Sequence, residues 1–206
     1  MPRHRARQFI TLIVLALTAV LSPVSMDMLT PSLTGMSSNI GASPQVAELT
    51  LYSFLIGYGV SPSLWGTLSD RLGRRPVMFT GMVIYTASSL GGAIVEDAGG
   101  LVALRFVQGV GGGAGATVAR AVVRDIYGAS GTTRGMAQMI SIMAIVPFLM
   151  PLLGGILASI FSWRACFVAM AAIGAASLCA YYFLVPETLP VVGNRKEAQN
   201  TSVMDI

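Results

Sequence analysis

The sequence predicts an all-helical membrane protein: six transmembrane helices arranged as two inverted three-helix repeats. Three observations carry that expectation. Of 206 residues, 54% are hydrophobic and 11% charged, with a mean hydropathy of +0.71. A soluble domain has about a quarter of its residues charged, so a surface this poor in polar groups does not suit water. Apolar runs of about 20 residues, the length a helix needs to cross a bilayer, recur along the chain. They lack the two-residue alternation of a barrel strand, and an open sheet would leave backbone groups unpaired in lipid. Finally, the basic residues collect in alternate gaps between those runs.

The elements follow in chain order. The basic start MPRHRARQ and the apolar FITLIVLALTAVL behind it resemble a signal peptide, but SPVSMDMLTP offers no convincing cleavage site. Residues 1–8 therefore read as a leader to an uncleaved first span at roughly 9–30. Asn39, Gly41 and Ser43 mark a loop, with Ser43 as cap and Pro44 in the first turn of a second span, at about 46–67. GTLSDRLGRRP at 66–76 then gathers four charges into eleven residues and turns the chain into a third span, at about 77–95. Glu96-Asp97 with Gly99-Gly100 form the turn to a fourth, at about 100–122, and a fifth follows at about 135–159. Ser162 and Trp163 make a tight turn into a sixth, at about 165–185. The bundle is thus expected over 9–186 and a polar tail over 187–206, disordered beyond Pro190. Cys166 and Cys179 share the sixth span, about 20 Å apart along a helix, and cannot bridge each other.

Charge sets the orientation. Eleven of the thirteen basic residues fall on one side: Arg3, Arg5, Arg7, Arg71, Arg74, Arg75, Arg120, Arg124, Arg134, Arg195 and Lys196. Arg164 alone falls on the other, and Arg105 lies within a span. By the positive-inside tendency both termini are cytoplasmic. GTLSDRLGRRP becomes a short cytoplasmic turn, and on charge alone its arginines need be no more than topology signals. A shift of 89 residues lays it on GILASIFSWR, matching Gly66 with Gly155, Leu68 with Leu157 and Arg75 with Arg164. Three spans separate the two turns, so they face opposite sides, as inverted repeats of secondary transporters do.

Few residues carry chemistry. Asp27 is a lone carboxylate near the outer end of the first span, and Arg105 lies at a similar depth in the fourth. Intramembrane charges are costly and face a cavity or one another, so the two are expected to line one cavity, in an arrangement where they can pair. The plainer alternatives are an interfacial Asp27 and a snorkelling Arg105. Glu48, at the head of the second span, is the more exposed candidate. In QGVGGGAG, Gln108 adds a hydrogen-bonding group beside Arg105, and Gly109-xxx-Gly113 and Gly111-xxx-Gly115 suit close helix packing better than a nucleotide loop, which needs a preceding strand. The fifth span carries Pro147, Pro151, Gly155 and Ser159 at four-residue spacing, a face that suits either a hinge or plain packing. The single histidine, His4, leaves no catalytic triad or zinc set, so neither an enzyme nor a metal site is expected.

Together these motifs resemble the amino-terminal half of major facilitator superfamily transporters, specifically the twelve-span drug:proton antiporters of the Bcr/CflA type. GTLSDRLGRRP is similar to the G-x-L-(S/A)-D-R-x-G-R-(R/K) signature between spans two and three, and LRFVQGVGGG to the R-x-x-Q-G motif of span four. PFLMPLLGG resembles the span-five antiporter motif, with SWRACF at the next turn, VPETLP closing span six and MDMLTPSL in span one. The resemblance implies that Gly66, Asp70, Arg71, Gly73, Arg74 and Arg75 form a cytoplasmic network steadying one access state. It implies that Arg105 and Gln108, with Asp27 and Glu48 nearby, serve proton or substrate coupling, and that Pro147, Pro151, Gly154 and Gly155 govern packing of span five. Glu48 stands where relatives often have glutamine and Thr67 where many have proline. The implied activity is proton-driven export of small, amphipathic or cationic drugs, with the proton gradient in place of a cofactor. The partners implied are the lipid bilayer of a bacterial inner membrane, protons, the drug, and a second six-helix half or another copy. Nucleic acid is not among them. A proton-coupled importer of the same fold and a non-transporting membrane scaffold remain as alternatives.

Overall fold

A computed structural model describes residues 2–33, 35–36 and 44–188, with side chains from Gln8. The expected loop residues Asn39, Gly41 and Ser43, the side chains of Arg3, Arg5 and Arg7, and Arg195 and Lys196 lie outside the described residues. The described residues are mostly helical, with no strand among them. α1 (Pro2–Ala19) and α2 (Leu21–Leu29) meet at a 43° bend, and a 3-10 turn (Thr30–Ser32) ends that pair. α3 (Pro44–Leu72), α4 (Arg74–Ile94), α5 (Ala98–Met143), α6 (Val146–Ile160) and α7 (Trp163–Leu184) follow. Among the described residues three stretches are long and apolar enough to cross a membrane: α4, the run Ala98–Ile160 and α7. The bent first pair makes a fourth if counted as one span.

Local chemistry explains most of the boundaries. Asp97 caps α5 by accepting from the Gly100 N–H at 2.6 Å. Gly73 joins α3 to α4 at φ 105°, a left-handed backbone that a side chain disfavours. α5 is broken at Gly128, φ 64°. The predicted loop between spans four and five is therefore a single-residue break, and the helices on either side run several residues further than expected. Arg120, Arg124 and Asp125 end the apolar pattern, but charge at a water interface does not end a helix; a residue that leaves helical φ does. A second break at Ala144–Ile145 lies just before Pro147, whose ring removes the N–H due to Met143. Pro151 sits inside α6 without interrupting it.

The first half of α5 is the central helix. A Cβ on Gly109 would meet the Phe54 carbonyl of α3, on Gly111 the Tyr85 N–H of α4, and on Gly115 the Thr18 carbonyl of α1. Glycines two to four positions apart thus let three different helices touch one backbone. The outside is apolar: Ile94, Phe148 and Phe183 are 79%, 82% and 78% exposed, a surface suited to lipid.

The two segments of the sequence echo lie at opposite ends of the bundle. There α4 and α7 run antiparallel and clasp each other at both ends. Arg75, in the first turn of α4, donates to the Tyr182 carbonyl at the end of α7 (2.6 Å). Arg164, in the first turn of α7, donates to the Val95 carbonyl at the end of α4 (2.8 Å). Each cation thus satisfies a carbonyl that a helix end leaves without an intrahelical partner.

Candidate functional site

The buried polar centre is built on α5. Arg105 is 0% exposed. Its Nη1 donates to Gln108 Oε1 (2.7 Å), its Nε to the Thr50 carbonyl (3.4 Å) and its Nη2 to the Ser25 carbonyl (3.4 Å). The Met26 sulfur lies 3.9 Å from Nη2, and the guanidinium stands 4.4 Å over the Phe54 ring. Gln108 Nε2 donates to Ser89 Oγ (2.7 Å), and Ser89 Oγ to the Tyr85 carbonyl (2.7 Å). The Tyr85 phenol pairs with Ser25 Oγ (2.7 Å) and donates to the Leu21 carbonyl (3.2 Å). The chain of bonds closes on itself through α5, α4 and α2.

Every partner of this guanidinium is neutral. The pairing with Asp27 that their similar depths allow is not made: among the described residues the ion pairs are Arg74–Asp70 and Arg74–Asp125. Asp27 is half-buried on α2, one residue beyond Met26, so it borders the ring without joining it. The physical reason is that a carbonyl, an amide oxygen and an aromatic face satisfy the buried cation's donors without a carboxylate. Glu48 is exposed near the start of α3 and stands outside the ring. Gln108 is its direct member.

A second polar cluster sits at the opposite end of α4. Arg74 Nη1 bonds Asp70 and Ser69 Oγ (2.8 Å), and its Nε bonds Asp125 Oδ2 (3.1 Å). Gly73 provides no side chain to cap α4, and Glu187 supplies the cap from beyond the end of α7. It accepts from the Arg74 N–H (3.0 Å) and the Arg75 N–H (2.9 Å). The residue expected to open the polar tail is therefore docked on the bundle. Arg71 is exposed and makes no ion pair among the described residues. Gly66 faces open space apart from Thr117 Cγ2, 3.9 Å from where a Cβ would stand. In α6, a Cβ on Gly154 would meet the Met28 backbone of α2, whereas Gly155 has only Pro31 at 3.9 Å; Pro147 is exposed.

Sequence reasoning missed Asp125, Tyr85, Ser25 and Ser89. Tyr85 and Ser89 had a readable signal: hydrogen-bonding groups in an otherwise apolar span must find partners across helices.

The model of the Major Facilitator Superfamily matches residues 15–205. The chain belongs to that superfamily. It is 28% identical over 180 residues to a bicyclomycin resistance protein homolog of Haemophilus influenzae, covering 87% of this chain and 45% of that protein. It is 29% identical over 187 residues to multidrug resistance protein D of Escherichia coli (91% and 48%), and 36% identical over 181 residues to a chloramphenicol resistance protein of Pseudomonas aeruginosa (86% and 43%). The chain spans about half the length of the curated relatives it matches. Among solved structures, the proton:xylose symporter XylE superposes with TM-score 0.77 at 18% identity, over 89% of this chain and 46% of that one, which shows the fold. This superfamily chain thus matches transporters whose names denote drug resistance.

Proposed function

We propose that the chain is the amino-terminal half of a secondary transporter that exports small-molecule drugs in exchange for protons. In this reading it forms six spans in two inverted three-helix repeats, in a bacterial inner membrane with both termini cytoplasmic. The Arg105 centre is the single observation that carries it. A guanidinium removed from water costs several kcal/mol before its bonds are counted, and neutral partners leave its charge uncompensated. That is the arrangement of a site that attracts an anion or disfavours protonation nearby, and Asp27 is the neighbouring carboxylate. Asp27 carries the transported proton and Arg105 biases it toward release. Glu48 lies apart, at the rim, and the proton gradient replaces any cofactor. The cluster around Arg74 steadies one access state at the cytoplasmic end, and a second six-helix half completes the cavity.

The test is an inverted-vesicle assay of drug-dependent proton movement. Proton release from the vesicle on drug addition is expected, with its loss in Asp27→Asn. A variant that keeps full proton-coupled transport sinks the coupling role. Proton and drug moving in the same direction would assign an importer instead.

A further inference from the structure

The bend in the first helix has a covalent cause and a non-covalent keeper. Pro23 lies in the first turn of α2 and has no N–H to return to the Ala19 carbonyl, so the helix breaks at Val20. On both sides of the break the ordinary bonds resume, Val20 N–H to Ala16 (3.0 Å) and Val24 N–H to Val20 (2.9 Å). A proline permits a range of angles; what fixes this one is packing. A Cβ on Gly115 would collide with the Thr18 carbonyl and one on Gly112 would stand 2.8 Å from Ser22 Oγ, so α5 cradles the bend. The Tyr85 phenol then ties down the far side, bonding both the Leu21 carbonyl and Ser25 Oγ.

Tyr85 is held as firmly as what it holds. It is 0% exposed, and Cβ atoms on Gly112 and Gly174 would lie 3.2 and 2.9 Å from opposite edges of its ring. Its carbonyl receives Ser89 Oγ, which receives Gln108, which receives Arg105. Arg105 returns to α2 at the Ser25 carbonyl, two residues before Asp27. One ring of hydrogen bonds therefore contains both the cation and the residue that sets where the carboxylate's helix points.

We propose that Tyr85 is a positioning residue: through Ser25 and the Leu21 carbonyl it holds the bend at Val20 and so fixes the reach between Asp27 and Arg105. The effect on transport rests on the function proposed above; the effect on the bend does not. α2 extends about 13 Å beyond the bend, so complete loss of a 43° bend would swing its far end by about 10 Å. α5 packs on Ser22 and α6 on the Met28 backbone, so a partial relaxation of a few ångströms is expected in place of the full swing.

The test uses the natural full-length product in nanodiscs, carrying Cys179→Ser, with Cys166 left in place because it is buried. Spin labels go on the exposed positions Thr30, at the end of the bent pair, and Val168 on α7. Tyr85→Phe keeps the ring between its two glycines and removes only the hydroxyl. It is expected to shift or broaden the label distance by about 2 Å or more, and Ser25→Ala to do the same. In proteoliposomes both variants are expected to lower kcat for proton-coupled export by about tenfold, the scale of a small misplacement, with drug KM unchanged. The double variant is expected to be no worse than either single one. An unchanged distance in Tyr85→Phe overturns the proposal. So do a distance shift with unaltered kcat, which would leave Tyr85 a packing residue, and additive losses in the double variant. Retention of proton-coupled export by Asp27→Asn would remove the proposed function, while the distance measurement would still decide what holds the bend.

Discussion

Gly109→Ala adds one methyl group where the backbones of α3 and α5 cross in contact, and the structure gives the size of its effect. The new Cβ would overlap the Phe54 carbonyl oxygen and stand 3.0 Å from the Tyr58 nitrogen, both backbone atoms of α3. Backbone cannot rotate aside as a side chain can, so α3 and α5 must separate by about 1 Å to restore van der Waals distance. A gap of that size forfeits a quarter to a half of each contact along the seam. It also stretches the bond from Trp65 Nε1 to the Val110 carbonyl, now 2.7 Å. Overpacking of this kind costs about 1–3 kcal/mol, and weakening that buried hydrogen bond adds about 1 kcal/mol. The expected loss is therefore about 2–4 kcal/mol, read as reversible unfolding in mixed micelles with graded SDS. Gly66→Ala is the control: the same substitution on α3, at a position with nothing nearer than Thr117 Cγ2 at 3.9 Å, and it is expected to be neutral or slightly stabilising through higher helix propensity. Equal stability of the two variants would refute the view that contact between α3 and α5 backbones organises this bundle.

Three further outcomes are expected. Arg105→Lys retains the charge but cannot reach Gln108, Ser25 and Thr50 together with a single ammonium, so the proton-coupled export proposed above should fall at least about tenfold in proteoliposomes while the protein stays folded by circular dichroism. Arg75→Ala and Arg164→Ala each remove one end of the α4–α7 clasp; each should lower stability by about 1 kcal/mol, with the two losses additive within about 0.5 kcal/mol because the sites are a helix length apart. Gly73→Ala must adopt φ 105° and place a Cβ 2.9 Å from the Glu187 carboxylate, so it should cost about 1–2 kcal/mol, and Glu187→Gln, which keeps a capping oxygen, should cost less. Both are measured by the same micelle unfolding.

The helical class and the order of the elements were legible because apolar runs, glycine pairs and turn residues are local signals. The turns at Glu96-Asp97 and at Ser162 fell where they were read, although Gly99, Gly100 and Trp163, expected in those turns, already belong to the first turns of α5 and α7. Helix ends at the water interface were less legible. Arg120 and Arg124 mark where hydrophobicity stops, but α5 continues to its break at Gly128, and only the backbone geometry there marks the end. Partners were the least legible. Arg105 and Asp27 were matched by sign and depth, yet the guanidinium bonds an amide, two carbonyls and a ring. Opposite charge is the pairing that a sequence displays; neutral acceptors from three helices form a site only once the chain has folded. The same holds for Glu187, whose role as a cap for α4 spans more than a hundred residues and leaves no trace in local pattern.

The two polar clusters differ in a way that bears on mechanism. Arg74 is shared between two carboxylates, with a side chain 10% exposed, while its partner Asp70 is 65% exposed and Asp125 22%. Its charge is balanced where it stands, partly in solvent, so changing the outer partner perturbs it modestly. Arg105 is fully buried, its charge unbalanced and its bonds all to neutral groups. For such a group any arriving anion, or any proton added nearby, changes the local energy by far more than it would at the surface, because little water is present to screen it. A cluster that is already neutralised can hold a conformation; one that is not can sense a ligand. The bundle places the first at one end and the second deep inside, joined by the length of α4 and α5, and that division of labour is what the function proposed above requires, one cluster holding a conformation while the other responds to what arrives.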